Sequence, residues 1–209
     1  MKIIDVDQNS PEWLEARKNK ITGSKLADVL PKKRGAGLKI GFYQLVADRL
    51  AIEDNSERPD ERGHSLEFEA LAEFSKLTGK KTKQVGLCVS DLHENIAVSP
   101  DALIPDADGL FSEAVEIKCL SSARHIEAMC ENKVPSEYYE QVVQYFIVND
   151  DLKKLYFVFY DPRIAARPMF WIEVTREEVQ EDIEEFTKAQ IQILKDVEEL
   201  AEKIIFNTL

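Results

Sequence analysis

The chain has 209 residues, 44% of them hydrophobic and 32% charged, which supports one domain with a sizeable core and excludes wholesale disorder. No apolar run reaches the roughly 18 residues that a membrane helix needs, and the N-terminus has no basic stretch followed by an apolar one, so a cytoplasmic protein is expected. The net charge of −12 argues on average against a nucleic-acid protein.

In chain order, Ser10-Pro11-Glu12 starts a helix: a serine cap, proline at the first helical position and an acid in the first turn. The helix is predicted to run to about Asn19. Ser24 is predicted to cap a second, short helix through Leu30. Residues 31–37 read as a basic loop that includes Lys32-Lys33-Arg34, residues 38–52 as a helix, and the polar stretch after it as a loop. A helix is predicted over 65–78, with Leu66, Ala70, Leu71 and Phe74 inward and Gly79 as its stop. The alternation of Val85, Leu87 and Val89 predicts a half-buried strand, and Ile96-Ala97-Val98 leads from a short apolar run into Ser99-Pro100-Asp101. Residues 105–112 read as a hairpin turn and 115–119 as a strand. Helices follow at 123–131 and 136–148. Strands at 155–160 and 169–174 pair with each other, and Thr175 caps a long helix to about residue 206. The order of elements predicts one α/β domain over residues 1–209: a central mixed sheet flanked by helices.

Charge is unevenly placed along this order. Residues 1–40 hold nine Lys/Arg against five Asp/Glu, whereas residues 176–206 hold four basic against ten acidic residues. A local positive track for a phosphate backbone is compatible with that distribution. Cys88, Cys119 and Cys130 have no CxxC spacing, which argues against a disulfide framework, a zinc site or an iron–sulfur cluster. They are expected to be reduced and mostly buried.

The chemistry-bearing group is Asp101, Glu116 and Lys118. Glu116 and Lys118 are two apart on a strand and share a face, while Ile117 points the other way. A hairpin through 105–112 would bring them beside Asp101. Two carboxylates offer hard oxygen ligands to Mg²⁺, and a lysine beside them can orient or deprotonate a water and neutralise developing charge. An E-x-K pair alone also reads as a salt bridge on a strand; the Ser-Pro-Asp before the hairpin is what raises it to a candidate site.

Ser99-Pro100-Asp101 with Glu116-Ile117-Lys118-Cys119 resembles the PD-(D/E)XK nuclease motif, in the form of the phage lambda exonuclease and YqaJ-like viral recombinase family. Further motifs stand in that family's order. They are Trp13 and Arg17 with Ile21-Thr22-Gly23-Ser24; Gly63-x-x-x-Glu67-x-x-Ala70; and Tyr139-x-Gln141-x-x-Gln144-Tyr145. The resemblance implies a restriction-endonuclease-like core. It implies that Asp101, Glu116, the Ile117 carbonyl and Glu67 hold Mg²⁺, with Mn²⁺ as substitute and two ions per site, and that Lys118 handles the attacking water. It assigns Arg17, Ser24, Ser99 and Arg124 to the 5′-phosphate of DNA and Gln141 to the active site and DNA. Leu120 departs from the family's usual proline after the cysteine.

The resemblance further implies a processive 5′-to-3′ exonuclease on double-stranded DNA. It would be a homotrimeric ring, partnered with a single-strand-annealing protein in recombination of a phage or prophage in a bacterial host. Two other readings stay open: a structure- or site-specific endonuclease on the same fold, and a non-catalytic DNA-binding domain.

Overall fold

The structure is a computed structural model that describes residues 1–30, 61–120 and 122–206. The predicted basic loop at 31–37, the helix at 38–52 and the polar stretch that follows to residue 60 lie outside these residues.

The described elements come in runs of helices and runs of strands. Strand β1 (Lys2–Ile4) precedes α1 (Pro11–Arg17) and α2 (Gly23–Val29). Helix α3 (Glu61–Thr78) is followed by β2 (Leu87–Val89), β3 (Ala97–Val98), β4 (Ala102–Pro105) and β5 (Phe111–Lys118). Then come α4 (Ser122–Glu131), α5 (Tyr139–Val148), β6 (Lys154–Tyr160), β7 (Met169–Thr175) and α6 (Gln180–Ile205).

The main sheet has the order β4-β5-β6-β7, with β5 parallel to β6 and the other pairs antiparallel. The parallel pair requires a crossover, which α4 and α5 supply. A smaller antiparallel sheet has the order β1-β2-β3. The mixed sheet flanked by helices agrees with the fold class read from the order of elements.

Both faces of the main sheet are covered, and β6 shows it in its sequence: an unbroken apolar run, as a strand buried on two sides requires. Leu155, Phe157 and Phe159 join Ala114 and Phe170 in a core closed by Leu26 of α2, Val142 and Phe146 of α5, and Ile193, Leu194 and Val197 of α6. Tyr156, Val158 and Tyr160 pack on the other face with Val115, Ile117 and Ala70, Leu71 and Phe74 of α3. Truncating a fully buried ring such as Phe157 to alanine would cost about 3–5 kcal/mol.

Several boundaries differ from the sequence reading for local reasons. Helix α1 stops at Arg17 because Asn19 turns left-handed (φ 61). Thr22, not Ser24, caps α2. A 3₁₀ turn, Ser136–Tyr138, precedes α5, and another, Glu177–Val179, precedes α6. The final α-helix therefore begins at Gln180 rather than at Thr175, which ends β7. Thr175 still marks the start: the Glu178 carboxylate accepts from its backbone N–H at 2.6 Å and from its hydroxyl at 2.9 Å. Strand β1 is an addition to the sequence reading, and so is β4 as a strand. Cys88 is buried, Cys119 half-buried and Cys130 exposed, so burial does not extend to all three thiols. Among the described residues no helix is long and apolar enough to cross a membrane.

Candidate active site

The β4–β5 hairpin sets Ala102 opposite Val115, so Asp101, just before β4, lies beside the Glu116–Lys118 end of β5. The carboxylate of Asp101 accepts from the backbone N–H of Ile117 at 2.6 Å. Period-two alternation buries Ile117 against α3 and sends Glu116 and Lys118 towards α5.

Glu116 is 4% exposed and carries three donors. Lys118 Nζ and Gln141 Nε2 both reach Oε1, at 2.6 and 2.5 Å, and the Tyr145 hydroxyl donates to Oε2. Gln141 and Tyr145 are i and i+4 on α5 and therefore share one face. Lys118 also stands 4.9 Å from the ring centre of Tyr138. Burial by itself would lower the Lys118 ammonium, but Glu116, Asp101 and Tyr138 outweigh it and hold it above its ordinary value. Burial, with Glu116 and Asp101 adding to it, pushes the Tyr145 phenol well above its usual range, so it remains a donor.

Asp101 is the carboxylate common to both sides of the site. Burial, Glu116 and Glu67 push it well above the usual range, against the pull of the Ile117 N–H and Lys118. Glu67 of α3 lines the same cleft as Asp101, together with Gln8, Leu71, Gln84 and Gly86. Glu69 is turned instead to the Tyr160 hydroxyl, which donates to it at 2.6 Å.

Asp101, with Glu116 and Glu67 near enough to raise its carboxyl, offers oxygen ligands of the kind a hard divalent cation takes. Among the described residues no three His, Cys, Asp or Glu side chains stand together as a group that could hold a metal ion. Glu116 is turned to its donors. Mg²⁺, which keeps several waters and uses only one or two carboxylates, fits such a partial set.

A second group adjoins the first. Residues 21–24 are pinned to β3: Ile21 N–H donates to Asn95 O at 2.7 Å and Ala97 N–H to Ile21 O at 3.0 Å. This sets the start of α2 beside the Ser99 turn. The Arg17 guanidinium then donates to Ser99 Oγ (2.7 Å), Thr22 Oγ1 (3.1 Å) and Ser24 Oγ (3.2 Å), and lies 4.1 Å from the centre of the Trp13 ring. Trp13 is itself fixed by its indole N–H on Gly86 O at 3.1 Å. Burial lowers the Arg17 pKa to about 10, against the opposing pull of Glu116 and Tyr145. Thr22 spends its hydroxyl on Arg17, which explains a cap without a capping bond. A guanidinium ringed by hydroxyls is a donor array for a phosphate oxyanion.

The structure thus gathers Asp101, Glu116, Ile117, Lys118 and Gln141 in one cluster, with Glu67 at its edge, and Arg17, Ser24 and Ser99 in an adjoining one. Arg124 joins neither. It is exposed on α4 and ion-paired with Glu127 (2.9 Å) and with Glu137. Thr22 and Tyr145 each stand in one of the sequence motifs, but their contacts are visible only in the structure.

A model of the YqaJ-like viral recombinase domain matches residues 12–151. The chain belongs to the YqaJ-like viral recombinase family. That match spans α1 to α5 and so contains every residue of the two clusters. Among solved structures, this family member resembles the alkaline exonuclease LHK-Exo from Laribacter hongkongensis with a TM-score of 0.79 and 27% identity, over 95% of this chain and 100% of that one. LHK-Exo in complex with dAMP gives a TM-score of 0.77 at the same identity and coverage. A phage-related exonuclease from Haemophilus somnus 129PT gives 0.61 at 14% identity, over 88% of this chain and 96% of that one, which speaks for the fold alone. No curated protein gives a significant sequence match. Family and likeness together support a phage-type nuclease.

Proposed function

We propose that this YqaJ-like chain is a divalent-cation-dependent exonuclease that hydrolyses double-stranded DNA from the 5′ end. The observation that carries the reading is the juxtaposition of two groups: the Asp101–Glu116–Lys118 cluster, and an Arg17 guanidinium ringed by Ser99, Thr22 and Ser24. The first suits phosphodiester hydrolysis and the second suits a terminal phosphate. The likeness to an alkaline exonuclease supports it.

In this reading Asp101, Glu116 and the Ile117 carbonyl would hold Mg²⁺, for which Mn²⁺ would substitute, and Glu67 would serve a second ion. The bound cation supplies charge stabilisation at the scissile phosphate and a water of lowered pKa. Lys118, steadied by Glu116, would present its ammonium to the attacking water and offset charge on the phosphate. Gln141 keeps Glu116 in place. Arg17 and the hydroxyls of Ser24 and Ser99 grip the 5′-phosphate and so fix the distance from the end to the cleavage point. Arg124 takes part by exchanging Glu127 and Glu137 for a phosphate. The family reading extends to a ring of three copies around the duplex and to work beside a single-strand-annealing protein in recombination.

Digestion of three substrates in Mg²⁺ tests this: a linear duplex with 5′-phosphates, the same duplex with 5′-hydroxyls, and a covalently closed circle. The expected result is rapid loss of the 5′-phosphorylated strand, slower loss of the hydroxyl-ended one and an intact circle. Cutting of the circle would establish an endonuclease. No hydrolysis of any substrate, with binding retained, would establish a non-catalytic domain.

A further inference from the structure

The donors on Glu116 divide unequally between its two oxygens. An ionised carboxylate offers about four acceptor positions, two on each oxygen. Lys118 and Gln141 both reach Oε1 and fill that oxygen. Among the described residues Tyr145 alone reaches Oε2, so the acceptor position that they leave open on the carboxylate is on the oxygen the phenol holds. Tyr145 is 1% exposed. The residue before it on the same helix, Gln144, is fully buried and donates to Ile21 O at 3.0 Å, to Ala97 O at 3.4 Å and to Gln190 Oε1 of α6 at 2.9 Å. These bonds tie α5 to the bridge that carries Arg17's hydroxyls on one side and Ser99 on the other. The phenol therefore projects from a helix clamped on both flanks.

We propose that Tyr145 is a positioning residue for a divalent cation: its hydroxyl fixes Glu116 Oε2, the oxygen left free to ligate. The inference rests on the metal-dependent reading above and goes beyond it, because it assigns the orientation of one ligand oxygen to a buried residue outside the ligand set. Without the hydroxyl, the Glu116 carboxylate is free to swing both oxygens onto Lys118 and Gln141, and cation binding must compete with that arrangement. Outer partners of this kind set metal affinity by roughly 10- to 100-fold.

The test is Mn²⁺ binding by titration calorimetry on four proteins: the parent chain, Tyr145→Phe, Glu116→Gln and the double variant. Nuclease activity against Mn²⁺ concentration is measured in parallel. Phenylalanine keeps the ring and its packing. Tyr145→Phe is expected to bind Mn²⁺ about 10- to 100-fold more weakly, and to recover most of the parent kcat once the ion is saturating. In the Glu116→Gln background the same substitution is expected to change Mn²⁺ affinity by less than about 2-fold, since Tyr145 acts only through the carboxylate. That background also removes the buried charge that Tyr145→Phe would leave short of a donor, so the comparison survives if the single variant folds poorly.

Equal Mn²⁺ affinity of the parent and Tyr145→Phe would overturn the proposal. So would an equal loss in both backgrounds, which marks a role in packing only, and so would a parent chain that binds no Mn²⁺. If the parent binds Mn²⁺ with the expected pattern but leaves DNA uncut, the positioning role stands and the exonuclease reading fails.

Discussion

Asp101 clamps the strand that carries its partners: its carboxylate accepts the backbone N–H of Ile117, the residue between Glu116 and Lys118, at 2.6 Å. One side chain thus fixes the register of the site and contributes to its charge. The two roles are separable. An asparagine can still accept the Ile117 N–H through its amide oxygen, but it carries no charge.

Asp101→Asn is therefore expected to keep the fold and lose hydrolysis, by on the order of a thousand-fold in kcat, because several kcal/mol of charge stabilisation goes with the carboxylate. Its effect on stability has the opposite sign. Burial, Glu116 and Glu67 raise the Asp101 carboxyl in the folded chain. A group raised in this way stabilises most below its unfolded pKa, about 4, and that contribution is lost as pH rises through the folded value. At pH 8 in EDTA, well above the unfolded value, the raised carboxyl is a cost. Melting of the variant there should come roughly 2–4 °C higher, the shift that ~1 kcal/mol makes in a chain of this size. A lower melting temperature would show that the clamp outweighs the repulsion.

Arg17 gives a pH prediction for end recognition. Its pKa is lowered to about 10 by burial. At pH 8 it is fully cationic, and about half of it is neutral at pH 10. The preference for a 5′-phosphorylated over a 5′-hydroxyl duplex should hold from pH 7 to 8.5 and decline as pH approaches 10. Comparing the two ends at each pH cancels titration of the bases. Arg17→Lys should reduce the preference roughly tenfold even at pH 8, since an ammonium cannot reproduce the forked contact. An unchanged preference would remove Arg17 from the phosphate site.

Gly86 shows how closely the first strand is laid against the site. A Cβ built there would stand 2.2 Å from Val6 O and 2.9 Å from Ile4 O, both backbone atoms that cannot swing aside. Gly86→Ala should destabilise by about 3 kcal/mol, read from urea denaturation. It should also disturb Trp13, whose indole rests on Gly86 O. Gly23→Ala is a milder case. Its nearest neighbour would be the flexible Cγ of Gln141 at 3.1 Å, so stability should hold while kcat falls as Gln141 shifts on Glu116.

The thiols offer a check on the fold that needs no DNA. Cys130 is exposed, whereas Cys88 is fully buried and pushed up to about 12. Burial, with Glu67 and Asp101 next, also pushes Cys119 up to about 12. A thiol reagent at pH 8 should label Cys130 fast and Cys119 slowly, and reach Cys88 only on unfolding, as mapped by peptide mass spectrometry. Fast labelling of Cys88 would contradict the packing of β2.

The parts whose physics is local are legible in neighbouring residues. Period-two spacing places Glu116 and Lys118 on one face with Ile117 opposite, and a hairpin turn between Asp101 and Glu116 obliges the carboxylates to meet. The Ser10-Pro11 start of α1 is written in adjacent residues. The apolar run of β6 and the periodicity of α6 are likewise local patterns.

The rest depends on contacts between distant segments and emerges only when the chain is folded. Strand β1 forms by pairing Ile3 with Cys88, and no local pattern in three residues announces that partner. Arg17 meets Ser99 across 82 positions, and Gln144 meets Ile21 across 123. Arg124 looks like a phosphate ligand by its spacing from Lys118, yet it pairs with Glu127 and Glu137, because an exposed guanidinium takes the carboxylates that its own surroundings present. Tyr145 is one more aromatic in an apolar helix until the fold sets its hydroxyl on Glu116.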